Sequence, residues 1–413
     1  RIGDIDRSIN PALQSSARKA EAEYSQTGVY ADFYNIMSGL VGTVDDSTSI
    51  AAQISNLDAA MVEAIARPDS TERLHDLSVK ADLIVRSITN AADGLNKQRV
   101  AAESSIDGQV TTLNSQLKEL EKLNARIVVS QAAGIPTTAM EDQRDLLIDA
   151  VNTAIPVNVV QRDQGRVALY TVGGEALLDG KASELSFDAK RNIEPQMTID
   201  NGLLSGLEIN GRLVDTSTSG ALRGGTLIAQ FDIRDNVAIE AQNDLDAMAM
   251  DLVQRFQDPA LDATIGPLDA GIFTDGGGFF DPVDVVGLSA RLELNDLVAL
   301  DGQAETWRFR DGLYAATQGE PGDASLLVGY SDAISANRTV STLKLGTITA
   351  DANTLSASLM SRFARDSDSA NNMLSYSATS YTEMAQAELA LGVDSDAELQ
   401  NMMIIENAYA ANA

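Results

Sequence analysis

Apolar residues recur along the first third of the chain in steps of three and four. Leu74, Leu77, Ala81, Ile84, Ile88, Ala91 and Leu95 form one such run. Ile106, Val110, Leu113, Leu117, Leu120 and Ile127 form a second, with Asn124 in the intervening slot. A period near 3.5 residues draws a single apolar stripe along a helix, which suits long helices packed nearly parallel. A weaker stripe joins Ile50, Ile54, Leu57, Met61 and Ile65. The spacing predicts helix from about Pro11 to Val129, with Gly28, Gly39 and Gly42 breaking the pattern within 1–45. Pro68 ends one helix, and Asp69 with Glu72 is the expected capping pair of the next. Asn124 at a core-type position either fixes register or reaches solvent.

Gly134-Ile135-Pro136 breaks the helical period, and a short helix containing Met140 to Leu147 follows. After Pro156 the period changes to two. Strand-like runs cover 157–161 and 166–172, joined by Arg162-Asp163-Gln164-Gly165. Three more are expected between Met197 and Val214, joined at Asn201-Gly202 and Asn210-Gly211, a dipeptide that suits tight hairpin turns. Helix returns over 226–257, with Leu245, Met248, Leu252 and Phe256 on one side. Residues 258–320 are Gly- and Pro-rich and irregular, with short strands expected near 291–294 and 305–310. A Ser/Ala-rich helix then starts at Leu355, Leu359 and Phe363 and runs to about Leu391. Ser395 and Glu398 cap a last helix.

The fold class expected is multidomain α and β: an elongated α-helical bundle built from the N- and C-terminal helices, with an inserted β-rich domain. Its parts are 1–155 (bundle, N-terminal part), 156–222 (β-rich domain), 223–257 (helix returning to the bundle), 258–320 (irregular) and 321–413 (bundle, C-terminal part).

Composition narrows the chemistry. The 413 residues include no Cys and one His, and the net charge is −30. Disulfides, thiolate catalysis and Cys-ligated metals are excluded, and a His-based triad would have to use His75. The charge repels nucleic acid and anionic membrane surfaces, so neither is an expected partner. No stretch is apolar over the ~18 residues a membrane helix needs. His75, between Leu74 and Asp76, reads as a surface residue. Asp262, Asp269, Asp275, Asp281 and Asp284 are spaced by seven, six, six and three, which does not match a calcium loop, and read as a solvated surface loop. Gly276-Gly277-Gly278 lacks the lysine of a phosphate loop. Trp307 is expected on a strand that anchors a small core. No catalytic, metal-binding or cofactor-binding residue is expected, and no cofactor.

The end of the chain is the most informative. Small residues with sparse Met, Leu, Ile and Tyr, from Thr379 to Ala413, suit either an ordinary bundle helix or one that packs against identical neighbours in a polymer. The stripe Leu399, Met402, Ile405, Tyr409 and Asn412 is the candidate assembly interface.

Gly392-Val393-Asp394-Ser395-Asp396-Ala397-Glu398-Leu399, followed by Glu406-Asn407-Ala408-Tyr409-Ala410-Ala411-Asn412-Ala413, resembles the C-terminal signature of bacterial flagellar rod, hook and hook-associated proteins. Glu406 stands where that family usually has Gln. Asp142-Gln143-Arg144-Asp145-Leu146-Leu147, after Leu123-Asn124-Ala125-Arg126-Ile127, is similar to a segment of the hook–filament junction family, as is the Arg67-Pro68-Asp69 turn with Arg73. Least similarity falls in 258–350.

The resemblance implies a structural, non-enzymatic protein that polymerises at the distal end of the hook. Its implied partners are the flagellar hook protein, the second hook–filament junction protein, copies of itself and an export chaperone. The implied location is extracellular, on the flagellum, reached by type III export without a cleavable signal peptide. Arg1 opens no Sec-type leader and Ala413 ends within a helical pattern, which reads as a trimmed piece of a longer chain. The resemblance implies further terminal helices beyond it, and hence a soluble monomer for this piece. The competing readings are another axial protein (second junction adaptor, hook or rod subunit) and a secreted carbohydrate-active enzyme.

Overall fold

The computed structural model describes residues 10–43 and 46–391. Helix α1 spans Pro11–Val41. Asn10 caps it, its side-chain oxygen accepting from Ala12 N at 3.1 Å and Leu13 N at 3.3 Å. Gly28 and Gly39 lie within this helix, so the breaks expected there do not occur; Gly42, at φ 89°, ends it. Helix α2 is Ile50–Ala66, and α3 runs unbroken from Thr71 to Ala132. Its 62 residues make it about 93 Å long. Every apolar residue of both heptad runs is buried. The residue at the α3 cap is Ser70 rather than Asp69. Its hydroxyl bonds Glu72 Oε2 at 3.0 Å, because Pro68 and Asp69 complete the preceding turn.

Helix α4 is Thr138–Ala154. Strands β1 (Val157–Gln161), β2 (Val167–Thr171), β3 (Ala176–Asp179) and β4 (Lys181–Ala182) form an antiparallel sheet in that order. Strands β5 (Leu185–Ser186), β6 (Leu207–Ile209) and β7 (Arg212–Val214) form a second. Asn210-Gly211 makes the expected hairpin, both residues at positive φ (52° and 74°). Asn201-Gly202 does not. It is a turn within 187–206, which pairs with no strand because Arg99 takes its carbonyls at Glu194, Pro195 and Met197. Strands β3 to β5, two to four residues each, are too short for alternation to show in the sequence.

Helix α5 (Gly225–Asp232) passes through a π-turn at Ile233–Val237 into α6 (Ala238–Phe256). Between 257 and 324 lie β8 (Phe273–Asp275), α7 (Leu288–Arg291), β9 (Leu292–Leu294) and α8 (Arg308–Asp311), with β8 and β9 antiparallel. The strand expected over 305–310 is instead a helical turn. Trp307 precedes it, half-buried under the Arg308 guanidinium at 4.7 Å, and the buried aromatic there is Phe309.

Helix α9 (Ser325–Ser335) leads to a hairpin of β10 (Arg338–Thr342) and β11 (Gly346–Ala350) inside a region expected to be helical. Its outward face is hydroxyl rather than apolar: Thr339 pairs with Thr349 and Ser341 with Thr347, each at 2.9 Å. Helix α10 is Ala352–Leu391.

The packing forms two main cores. The first joins α1, α2, the first half of α3, α6, the 272–313 segment, α9 and the start of α10. The second joins the far half of α3, α4, α5 and the sheets β1–β4 and β5–β7. The irregular segment therefore buries Phe273, Phe280, Leu288 and Phe309 against the helices rather than against the β-rich part.

Candidate assembly surface

The two ends of the described chain lie side by side. Along the α1–α10 seam the contacts change character. Phe33, Met37, Leu359 and Phe363 are buried in the first core. Farther along, Asn35 Oδ1 accepts from Ser367 Oγ at 2.7 Å and Asn371 Nδ2 at 2.8 Å. Beyond that, the hydroxyls of Thr27 and Ser377 meet at 2.6 Å, and Tyr24 stacks on Tyr381 with ring centroids 5.5 Å apart. Leu374 packs near Gly28, 3.9 Å from the place a Cβ would occupy, an ordinary contact distance. Outward from this seam, α10 exposes Met373, Tyr376 and Leu389.

A cavity of about 280 Å³ lies beside it, lined by Thr27, Tyr30, Tyr34, Asp366, Ala370 and Met373. Tyr30 donates to Asp232 Oδ2 at 2.8 Å, and burial together with that carboxylate pushes its pKa well up. Burial and Asp366 push Tyr34 up to about 12. Both phenols are held in the protonated form, and Tyr30 serves as a hydrogen-bond donor.

The Asp142–Asp145 segment sits on α4, where that helix meets both α1 and the β1–β2 turn. Arg144 donates to the Gly165 carbonyl at 2.7 Å. Arg18 of α1 binds Asp149 at 2.6 Å and lies 3.7 Å from Asp145. Asn152 donates to the Arg18 carbonyl at 2.6 Å and accepts from Val157 N at 3.2 Å. A cavity of about 370 Å³ beside these residues is lined by Gln14, Arg18, Glu141, Arg144 and Asp145. Asn124 neither sets helix register nor reaches solvent. It is buried, and its amide pairs with the backbone of Val167 at 2.8 and 3.3 Å, clamping α3 to β2.

His75 is exposed on α3. The five aspartates of the 262–284 stretch do not share one environment. Asp262 is buried, correcting its placement in a solvated loop, and accepts from Leu313 N at 2.8 Å and Thr264 Oγ1 at 2.7 Å. Asp275 forms a two-pronged pair with Arg291 at 2.7 and 3.0 Å, and Asp281 caps a short turn at Val283 N. Among the described residues no group of three or more His, Cys, Asp or Glu is placed to hold a metal ion, and no helix is long and apolar enough to cross a membrane.

The assembly residues expected from sequence, Leu399, Met402, Ile405, Tyr409 and Asn412, lie outside the described residues, as do Ser395 and Glu398. The polar seam was not anticipated. Its signal is present in the spacing: Ser367, Asn371, Leu374, Ser377 and Tyr381 follow steps of three and four, a helical stripe written mostly in polar residues.

The family model described as the flagellar hook-associated protein FlgK helical domain matches residues 37–259. Flagellar hook-associated protein 1 of Bacillus subtilis (strain 168) is 24% identical over 303 residues, 68% of this chain and 56% of that protein. The protein of the same name from Escherichia coli (strain K12) is 22% identical over 227 residues, 54% of this chain and 41% of its own. The chain thus spans about half the length of the relatives it matches. The solved flagellar hook junction protein FlgK from Burkholderia pseudomallei aligns with a TM-score of 0.49 at 19% identity, covering 65% of this chain and 47% of its own. The family model covers more than half of the residues, and the chain belongs to the flagellar hook-associated protein FlgK family.

Proposed function

We propose that this chain is a structural, non-enzymatic subunit of the hook–filament junction, polymerising at the distal end of the flagellar hook. Family membership over residues 37–259 carries the reading. The relatives are named for hook-associated protein 1, which sets this reading above a hook or rod subunit and above a carbohydrate-active enzyme. Its partners are the hook protein on one side, the second junction protein on the other, and copies of itself around the tube, with an export chaperone holding it before secretion. It acts outside the cell, exported without a cleavable signal peptide.

The physical layout supports that task. Joining the two chain ends through α1 and α10 gives a stiff helical unit, and homotypic stacking of such units requires many weak contacts and no catalytic group. The small residues of the seam and the exposed Met373, Tyr376 and Leu389 offer contact area of that kind. The remaining contacts are assigned to Leu399, Met402, Ile405, Tyr409 and Asn412. The division into bundle (1–155, 223–257, 321–413) and outward β-rich part (156–222) is proposed on the same grounds. Deleting the gene tests the reading. Cells should still build hooks but shed filament protein into the medium, and normal filaments after deletion would overturn it.

A further inference from the structure

The two main cores meet at one level of the molecule, and that level is built from buried charge rather than from apolar contacts. On α3 the first core ends at Ala102 and the second begins at Ile106. On the α5–α6 helix the second core ends at Phe231 and the first begins at Ile233. Two helices, α3 and α5–α6, cross the divide together at this level; α1 also spans it, lying in the first core from Phe33 and bonded to α5 through Tyr30 and to α4 through Arg18, and no strand crosses among the described residues. At the crossing lie Arg99, Glu103 and Arg234, each no more than 1% exposed, with Asp235 beside them.

The three buried side chains bond one another and all reach one segment. Arg234 binds Glu103 Oε2 at 2.5 Å, Asp235 at 2.7 and 2.8 Å, and the Ser205 carbonyl at 3.1 Å. Glu103 Oε1 accepts from Lys190 N at 2.7 Å. Arg99 donates to the carbonyls of Met197 at 2.6 Å and of Glu194 and Pro195 at 3.3 Å, and to that of Arg234 at 3.2 Å. Residues 187–206, which form no strand, are therefore held as a strap by charged side chains from both crossing helices. The Arg234 guanidinium also lies 5.0 Å from the Phe231 ring centroid and 5.5 Å from that of Phe187.

Two further features fall at the same level. One of the crossing helices carries its π-turn there, a local widening that relaxes the helical ladder. A cleft of about 580 Å³ opens between the strap and that turn, lined by Asp200, Gly206, Leu213, Phe231, Asp235 and Ile239. An apolar junction of the same volume would hold the halves as firmly without burying charge, because desolvation offsets much of what a buried ion pair contributes. What the charged cluster adds is direction: each arginine accepts only one arrangement of strap and helices.

We propose that Arg99, Glu103, Arg234 and Asp235 form a locked joint that sets the angle between the β-carrying half and the helical half, with residues 187–206 as its latch. The inference stands on this geometry whether or not the junction reading holds.

The test uses the whole chain. Because it has no Cys, cysteines introduced at Asn56 in α2 and Lys181 in β4, both exposed, label only those sites. Pulsed electron-resonance distances between the two labels should give one narrow distribution. Glu103→Gln and Arg234→Met should each broaden it about twofold or more, with helical circular dichroism retained. Unchanged width in Glu103→Gln would overturn the proposal. Should Arg234→Met fail to fold, native-state hydrogen exchange on the unaltered chain decides independently. The strap amides should exchange together, and about tenfold or more faster than those of α3 on either side. Strap protection equal to that of the two cores would overturn the joint.

Discussion

Thr27 and Ser377 stand 350 positions apart and share one hydrogen bond, hydroxyl to hydroxyl, at 2.6 Å inside the α1–α10 seam. Both also bond backbone carbonyls of their own helices, Thr27 at Glu23 and Tyr24 and Ser377 at Leu374. Each hydroxyl carries one proton, so the one that donates across the seam gives up its intrahelical bond while the other keeps it and accepts. A double-mutant cycle with Thr27→Val and Ser377→Ala should return a coupling of about 1 kcal/mol in urea unfolding. A coupling indistinguishable from zero would mean that the two helices are held there by packing alone.

Much of this arrangement is legible in the sequence, and the exceptions have two causes. The heptad stripes of α3 are legible because each residue states its own preference for burial. The strap and its arginines are not, although the two heptad runs stop at Leu95 and restart at Ile106. Extending the first run by four and then three places Arg99 and Ala102 in the stripe. A charged residue in a core position is a local contradiction, and such contradictions are resolved only by partners distant in sequence. Arg99 finds them at residues 194–197 and Asn124 at Val167. The β10–β11 hairpin was missed for another reason: its ladder is written in Thr and Ser, leaving Val340 and Ala350 as its buried residues.

Asn124 supplies the second prediction. Its amide satisfies both the N–H and the carbonyl of Val167, and both of those bonds are buried. Asn124→Ala should cost about 1–3 kcal/mol, since an orphaned buried backbone group carries its desolvation penalty. Hydrogen exchange should speed first at β1 and β2, leaving the first core unaffected. Uniform acceleration across both cores would contradict a clamp local to the sheet.

Two glycines should respond in opposite directions. A Cβ on Gly271 would fall 2.3 Å from the Phe256 carbonyl oxygen and 2.6 Å from its carbon, both backbone atoms that cannot swing aside. Gly271→Ala should destabilise by about 1–3 kcal/mol. Gly108 lies exposed in the middle of α3 with nothing within 4 Å of that position. Gly108→Ala should stabilise by about 0.5–1 kcal/mol, because alanine loses less backbone entropy in a helix. Thermal unfolding of the two variants checks both signs.

The buried carboxyls make stability depend on pH in an unusual direction. Burial raises Asp235, Asp244 and Asp246 above the ordinary 3.8, despite Arg234 beside the first, Arg362 beside the second and four hydrogen-bond donors around the third. A carboxyl with a raised folded-state pKa binds its proton more readily folded than unfolded. Its cost to the fold is therefore absent below 3.8, grows as pH rises from 3.8 to its folded-state value, and is constant above that. Asp46, Asp179 and Asp323 are lowered by hydrogen bonds, so what they contribute is present above 3.8 and is lost only in more acidic solution. The urea midpoint should therefore fall as pH is raised from 3.8 toward neutrality. A midpoint that rises over that interval would overturn this account.

The net charge of −30 acts on association in the same sense. Copies of one acidic chain repel before any seam or exposed Met373 and Tyr376 can touch. Raising salt shortens the range of that repulsion to about 10 Å at about 0.1 M and about 3 Å at about 1 M, while apolar contacts between α10 faces keep their strength. Sedimentation of the full-length chain should therefore shift toward larger species as salt is added. Charge-neutral changes on the exposed face, Met373→Ser with Tyr376→Ser, should reduce that shift without altering the unfolding midpoint. If salt leaves sedimentation unchanged, repulsion is not what holds the subunits apart. If the double variant associates as the parent does, the contact lies away from this face of α10.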